Sequence, residues 1–348
     1  MSNSRNQSPN KTQNEGTRSA QTLHVFRAEM IRVINGANLG DALSFADELI
    51  PDDVYRLSPL AAKTRIRVQN LGSPPFQIAP DADMGLPGAD LHLDCCVTFM
   101  SISGETVECL VLVETDDAGN VSQVYALPVG DMIPNSEYVL VGVNRDAALQ
   151  TFAQTACVSF TAGTMITLAN GAQKSVQDLN VGDRVLTRDD GPQEIRWLGH
   201  HTARAVGAFA PILIREGTLN NTRDLLVSPD HRLFIYQRSD EIGVGRSEIL
   251  VRACHLINDT TVQQVVGGFV DYYQMLFDSH QIIYAEGIAA ESMLVDTRTQ
   301  AALPDELNAK LEELIPGHRR SGFSELEVQE NLLSHPDAVG LLRKSSTG

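Results

Sequence analysis

Ala156-Cys157-Val158-Ser159-Phe160-Thr161-Ala162-Gly163-Thr164-Met165-Ile166 is the stretch on which the reading of this chain turns. A hydroxyl residue stands just before a turn of small residues, and a strand-like run follows. A serine can attack the carbonyl of the residue before it through a small ring. Such a reaction is intramolecular and gains a large proximity advantage where the geometry is held. The Val158–Ser159 bond is therefore the first candidate for chemistry. Cys157 keeps a second candidate open, with Ala156–Cys157 as the scissile bond.

Downstream, Met165 to Leu168 reads as a strand ending at Asn170-Gly171, a type I′ hairpin signal. Val176 to Leu179, Val181 to Thr187 and Glu194 to Gly199 read as further short strands, with a turn at Asp189-Asp190-Gly191-Pro192. Short strands separated by frequent turn signals argue an all-β unit. A weak internal repeat suggests two related halves. Val227-Ser228-Pro229-Asp230-His231-Arg232-Leu233 and Leu276-Phe277-Asp278-Ser279-His280-Gln281-Ile282 each set an apolar residue, a turn, and a His opening an apolar strand.

Upstream, Arg145 to Ala156 reads as a short helix, which puts a domain boundary near 150. Strands are expected at Leu23 to Phe26, Ile31 to Ile34, Arg65 to Val68, Leu91 to Met100, Glu105 to Glu114, Ser122 to Leu127 and Tyr138 to Val143. Residues 70–90, rich in Gly, Pro and Asp, read as a loop. Four segments follow: a disordered tail over 1–20, a β-rich domain over 21–150, a processing domain over 151–300, and a helical extension over 301–348. In that extension Leu307, Leu311, Leu314 and Ile315 share a helical face, and Ser324 with Glu327 forms a capping-box pattern.

Breaking Val158–Ser159 requires a placed nucleophile, protonation of the leaving nitrogen and stabilisation of the tetrahedral oxygen. Ser228 and His231 can address one backbone group from a single turn, Ser228 bonding the amide and His231 protonating it. His280 is a second acid–base candidate, with Asp278 as its orienting partner. Cys95-Cys96 reads as core packing. His200-His201 reads as a solvated turn, and Cys254-His255 lacks the second close pair a metal site needs.

Together these residues resemble the Hint family, shared by hedgehog autoprocessing domains and inteins, and in particular bacterial Hint-domain proteins with a separate N-terminal domain. Ser159-Phe160-Thr161-Ala162-Gly163-Thr164 is similar to the family's opening Cys-Phe-x-x-Gly-Thr. Val181-Gly182-Asp183-Arg184-Val185 resembles its Gly-Asp-x-Val strand, and Ser228-Pro229-Asp230-His231 its Thr-x-x-His motif. Phe277-Asp278-Ser279-His280 to Gly287 resembles the penultimate intein motif. The resemblance covers roughly 156–294. It implies a mainly β chain: an all-β horseshoe with a pseudo-twofold repeat, after a small β-rich domain and before short helices. Ser159 takes the place of the family's Cys. Ala290-Glu291-Ser292 stands where inteins carry His-Asn, so no Asn is available to cyclise and splicing is not expected.

The expected function is single-turnover, autocatalytic cleavage. Ser159, or Cys157, takes the acyl group of the preceding residue, and water or a small nucleophile then releases the N-terminal segment, which is the substrate. No cofactor or metal is called for. A Hint-fold scaffold or interaction module that does not process is the alternative.

The bulk composition fits. Lys and Arg total 27 against 44 Asp and Glu, a formal net charge of −17, which disfavours nucleic-acid binding. The cysteines number 5, without C-x-x-C spacing, so neither a disulfide framework nor a zinc cage is suggested. No apolar run is long enough to span a membrane, and the first residues lack a signal-peptide core. A cytoplasmic location is the default expectation, with non-classical export left open.

Overall fold

The computed structural model describes residues 21–69, 75–80, 82–240 and 242–295, and beyond these 299, 303, 323, 326–328, 330–333, 335 and 337–347. The helix expected over 305–315 and the capping Ser324 lie outside the described residues. The described chain is mainly β.

The first region has nine strands: β1 (Gln21–Arg27), β2 (Ile31–Asn35), β3 (Val54–Leu57), β4 (Thr64–Gln69), β5 (Phe76–Ile78), β6 (Asp90–Ser101), β7 (Thr106–Thr115), β8 (Val121–Pro128) and β9 (Glu137–Asn144). The long β6 pairs with β7 along one edge. Its other edge takes β5 at the start and β9 at the end. The circuit β6-β5-β4-β1-β8-β7 returns to β6, so these strands close into a barrel, while β9, β3 and β2 fan away from it. Closure leaves few open edges for unwanted pairing. Strand β5 falls inside 70–90, expected to be loop; its run of three residues is too short to show a period.

Alternation explains the long apolar runs. Along β7, Cys109, Val111 and Val113 enter one core while Leu110 and Leu112 enter another. Cys95 and Cys96 divide in the same way, and burial pushes both thiols up, Cys96 to about 11. Helix α1 (Ala147–Ala156) follows, with Asn144 Oδ1 accepting from Ala147 N at 3.0 Å. Its Ala148 and Phe152 pack into the barrel core, Phe152 lying 5.1 Å from Phe76 between ring centroids. The decisive stretch thus leaves from a helix anchored in the first region.

The second region begins with β10 (Phe160–Thr161), β11 (Met165–Thr167), β12 (Gln173–Ser175), β13 (Arg184–Leu186), β14 (Pro192–Glu194) and β15 (Trp197–Arg204). It continues through β16 (Ile212–Ile214), β17 (Leu225–Val227), β18 (Arg232–Tyr236), β19 (Glu248–Arg252) and β20 (Val262–Gln264). It ends with β21 (Phe269–Leu276), β22 (Ile282–Ala285) and β23 (Ile288–Glu291). One six-stranded sheet runs β15-β21-β10-β17-β16-β20, another runs β12-β11-β22-β23-β18-β19, and β13–β14 is a separate hairpin. The chain steps from the first sheet to the second at β10–β11, β17–β18 and β21–β22, and a shared core from Phe160 to Leu342 fills the space between. The repeat seen in the sequence corresponds to the last two of these steps.

Three local readings need correction. Only Gly171, at φ +81°, has a positive φ in the 168–172 turn; Asn170 does not, so the turn is not type I′. Val176–Asp178 is a short 3-10 turn rather than a strand. His200 and His201 belong to β15, opposite Tyr273 and Tyr272, and are not a turn. At the far end, α2 (Ala338–Thr347) places Leu342 in the second core. No helix among the described residues is long and apolar enough to cross a membrane.

Candidate functional site

Ser159 sits at the entrance to β10, between β17 and β21, and is 1% exposed. Its polar groups are partnered by two distant segments, the Ser228–His231 turn and β21. Its N–H donates to Ser228 Oγ at 3.0 Å, and Gln274 Nε2 donates to its Oγ at 3.0 Å. Its carbonyl accepts from Ser228 N at 3.0 Å and lies 3.1 Å from His231 Nδ1. The Oγ also turns back along the chain, 3.5 Å from Cys157 O. Ser228 Oγ donates to the same Cys157 carbonyl at 3.3 Å. The turn closed by His231 N on Ser228 O, at 3.0 Å, sets the two side chains on one backbone segment.

Of the residues singled out in the sequence, Ser159, Ser228 and His231 therefore meet. Their arrangement differs in one respect from the expectation. The leaving nitrogen is held by Ser228, whereas His231 addresses the carbonyl of Ser159. The His231 ring packs edge-on against Phe160, with centroids 4.4 Å apart, and its Nε2 lies 3.1 Å from Glu291 O. Burial pulls its pKa below the ordinary 6.5, outweighing the upward pull of Glu291 and of the two carbonyls.

His280 joins this group through Glu291. Its Nε2 stands 3.2 Å from Glu291 Oε2, within ion-pair range but off hydrogen-bond alignment, and its ring faces Phe323. Asp278, expected to orient it, instead forms two hydrogen bonds to Arg196, at 2.9 and 2.8 Å, on the surface. Both side chains are exposed, Asp278 opening the turn after β21 and Arg196 lying just beyond β14. Glu291 takes the inner position. It is fully buried, with Arg232 Nε donating to its Oε1 at 2.7 Å. Burial alone would raise its pKa, but the charge of Arg232, with its hydrogen bonds and His280, holds the carboxyl well below the usual range. Arg232 and Arg252 also share Glu327, and Arg252 pairs with Asp230.

Cys157 is also buried, but its side chain packs with Leu276, Met293, Val295 and Leu303. The residues the sequence reading did not pick out are Gln274 and Glu291. Their only signal was a polar side chain next to apolar residues, before Met275-Leu276 in β21 and at the end of β23.

Residues 158–297 match the family model of the Hint domain. The chain is 32% identical over 83 residues to the catalytic subunit of the V-type proton ATPase of Candida tropicalis, an alignment covering 23% of this chain and 8% of that protein. The chain thus spans under a tenth of the length of that curated relative. Among solved structures it is similar to the gp41-1 intein, with a TM-score of 0.25 and 11% identity, over 38% of this chain and 97% of that one. It is likewise similar to the MchDnaB-1 intein, with a TM-score of 0.25 and 12% identity, over 38% of this chain and 98% of that one.

Proposed function

Given that this is a Hint-domain protein, we propose that it cleaves its own chain at Val158–Ser159 by an N-to-O acyl shift, without splicing. Ser159 Oγ adds to the Val158 carbonyl carbon, and the carbon–nitrogen bond breaks. The hydroxyl proton ends on the freed nitrogen, leaving Val158 as an ester on Oγ. Water or a small nucleophile then attacks the ester, and the Ser159 hydroxyl is regenerated. Ser228 is the natural proton carrier. It accepts the amide N–H at 3.0 Å, and once the nitrogen is tetrahedral it gives that nitrogen its own hydroxyl proton and takes up the one released from Ser159 Oγ, so that one proton in all passes from Oγ to nitrogen. His231 holds the carbonyl on the far side of Ser159 and so fixes the residue against both neighbours. His280 acts through Glu291 rather than on the scissile bond.

The observation that carries this reading is the convergence on Ser159: amide, hydroxyl and carbonyl are each held by a separate side chain. It favours Ser159 over Cys157, whose side chain is directed into an apolar cluster. The lack of an Asn in Ala290-Glu291-Ser292 supports cleavage without splicing.

Intact mass of the purified chain, with and without hydroxylamine, is the test. A fragment ending at Val158, absent from Ser159→Ala, is expected. Intact chain alone under both conditions would sink the reading. Ser159→Cys should cleave faster, because a thiol ionises more readily than an alcohol. A non-processing scaffold is the second reading. It is favoured by one feature: the Oγ accepts a hydrogen bond from Gln274 and meets no basic side chain among the described residues. On that reading, biological effect survives Ser159→Ala.

A further inference from the structure

Gln274 stands next to the apolar Met275-Leu276 of β21 and is 6% exposed. Burying a side-chain amide is costly unless it is hydrogen-bonded. Its Nε2 donates to Ser159 Oγ at 3.0 Å and lies 3.5 Å from His201 Nδ1. Directly opposite in the β15–β21 ladder is Gly199. A Cβ at Gly199 would stand 2.5 Å from Gln274 Oε1 and 2.2 Å from the Trp197 ring. The backbone of Gly199 is ordinary strand, without a positive φ. Its lack of a side chain, rather than its freedom, is what this position requires.

We propose that Gln274 is the positioning residue of the Ser159 nucleophile, lying in a cross-strand space that Gly199 keeps open. The proposal rests on the self-processing reading above. A side-chain N–H on Oγ fixes the serine rotamer in which the oxygen turns back toward the preceding peptide. The same donor stabilises negative charge on Oγ as its proton leaves. His201 lies beside the end of the amide that faces the serine, its Nδ1 3.5 Å from Nε2. Burial, then the charge of His200, keeps His201 neutral, so its Nδ1 can offer a lone pair to the NH2 group. The carbonyl end is thereby left facing Gly199.

The test compares cleavage rates in the full-length chain. Gln274→Ala and Gly199→Ala should each slow cleavage by roughly 100-fold, the scale of a misplaced reacting group. With Ser159→Cys as the starting chain, Gln274→Ala should cost less than about threefold, because a thiolate needs little help from a donor. A purely structural role would slow both backgrounds equally and would overturn the proposal. So would a Gln274→Ala chain that cleaves at the parental rate, with self-processing left standing. If no chain cleaves, self-processing itself fails, and unfolding equilibria decide the positioning contact. Ser159→Ala and Gln274→Ala should then be non-additive by about fivefold, as for one buried hydrogen bond. Simple additivity would overturn the contact.

Discussion

His231 is caught between two acceptors, with Ser159 O at 3.1 Å from Nδ1 and Glu291 O at 3.1 Å from Nε2. A neutral imidazole has one N–H and can satisfy only one of them; the charged ring would satisfy both. Burial decides for the neutral form. The consequence for stability has a definite sign. Below the ordinary value of 6.5 the unfolded chain takes up a proton that native His231 resists, so stability held at neutral pH is lost as pH falls from that value. His201, shifted the same way, adds to the loss. The melting temperature should drop between about pH 7.5 and about pH 5.5, and His231→Gln should flatten part of that slope. A slope unchanged by the substitution would assign it to other groups. At this scale the sequence was partly legible. Ser228 and His231 share one turn, and their spacing brings both to Ser159, though to its two different backbone groups. Gln274 and Glu291 reach the site through strand pairing and long-range packing, and no local pattern encodes which of their neighbours they will meet.

The crossing turns decide which charged groups are drawn inward. The step from β21 to β22 carries Asp278 and His280, yet only His280 goes inside. Asp278 takes the exposed Arg196, and Glu291, from the end of β23, takes the buried place. Sequence proximity suggested Asp278 as the partner of His280; sheet packing between the two layers selected Glu291. Many of the strands were readable from apolar runs and turn residues, but β5 fell within an expected loop, β3, β16, β19, β20 and β21 were not anticipated, and which strands pair was not readable. The two carboxylates should behave differently on substitution. Asp278→Ala breaks a pair whose side chains are 40% and 51% exposed, and should cost less than about 1 kcal/mol, with cleavage unaffected. Glu327→Ala removes a carboxylate shared by Arg232 and Arg252 next to the Leu250 backbone. Breaking a fully buried pair costs several kcal/mol. Here Glu327 is 26% exposed and each arginine keeps another carboxylate, so about 2 kcal/mol is expected. Urea unfolding of both variants checks the difference. Equal losses would mean that the segment carrying Glu327 contributes nothing to the buried network.

Across the whole molecule, the proposed cleavage point lies between two regions that hold each other independently of the peptide bond. Ala208 N donates to Val129 O at 2.9 Å, and Arg204 Nη1 donates to Thr106 O at 3.3 Å. Phe209 packs against the barrel core, and Tyr272 donates to its carbonyl at 2.9 Å. Gly207 makes this approach possible. It has φ +52°, and a Cβ there would stand 2.3 Å from Val129 O. These contacts remain when the chain is cut at Val158, because helix α1 stays with the barrel and the 204–209 segment stays with the second region. Cleavage should therefore yield a nicked protein rather than a free N-terminal segment. After hydroxylamine treatment and return to native buffer, both fragments should leave a sizing column together, near the position of the intact chain. They should separate once denaturant is added. Gly207→Ala combines a disfavoured backbone conformation with a clash against Val129, at a cost of about 1–3 kcal/mol, and should shift the nicked protein toward separate fragments. Fragments of the parental protein that part in native buffer would show that the peptide bond, and not this contact, holds the two regions together.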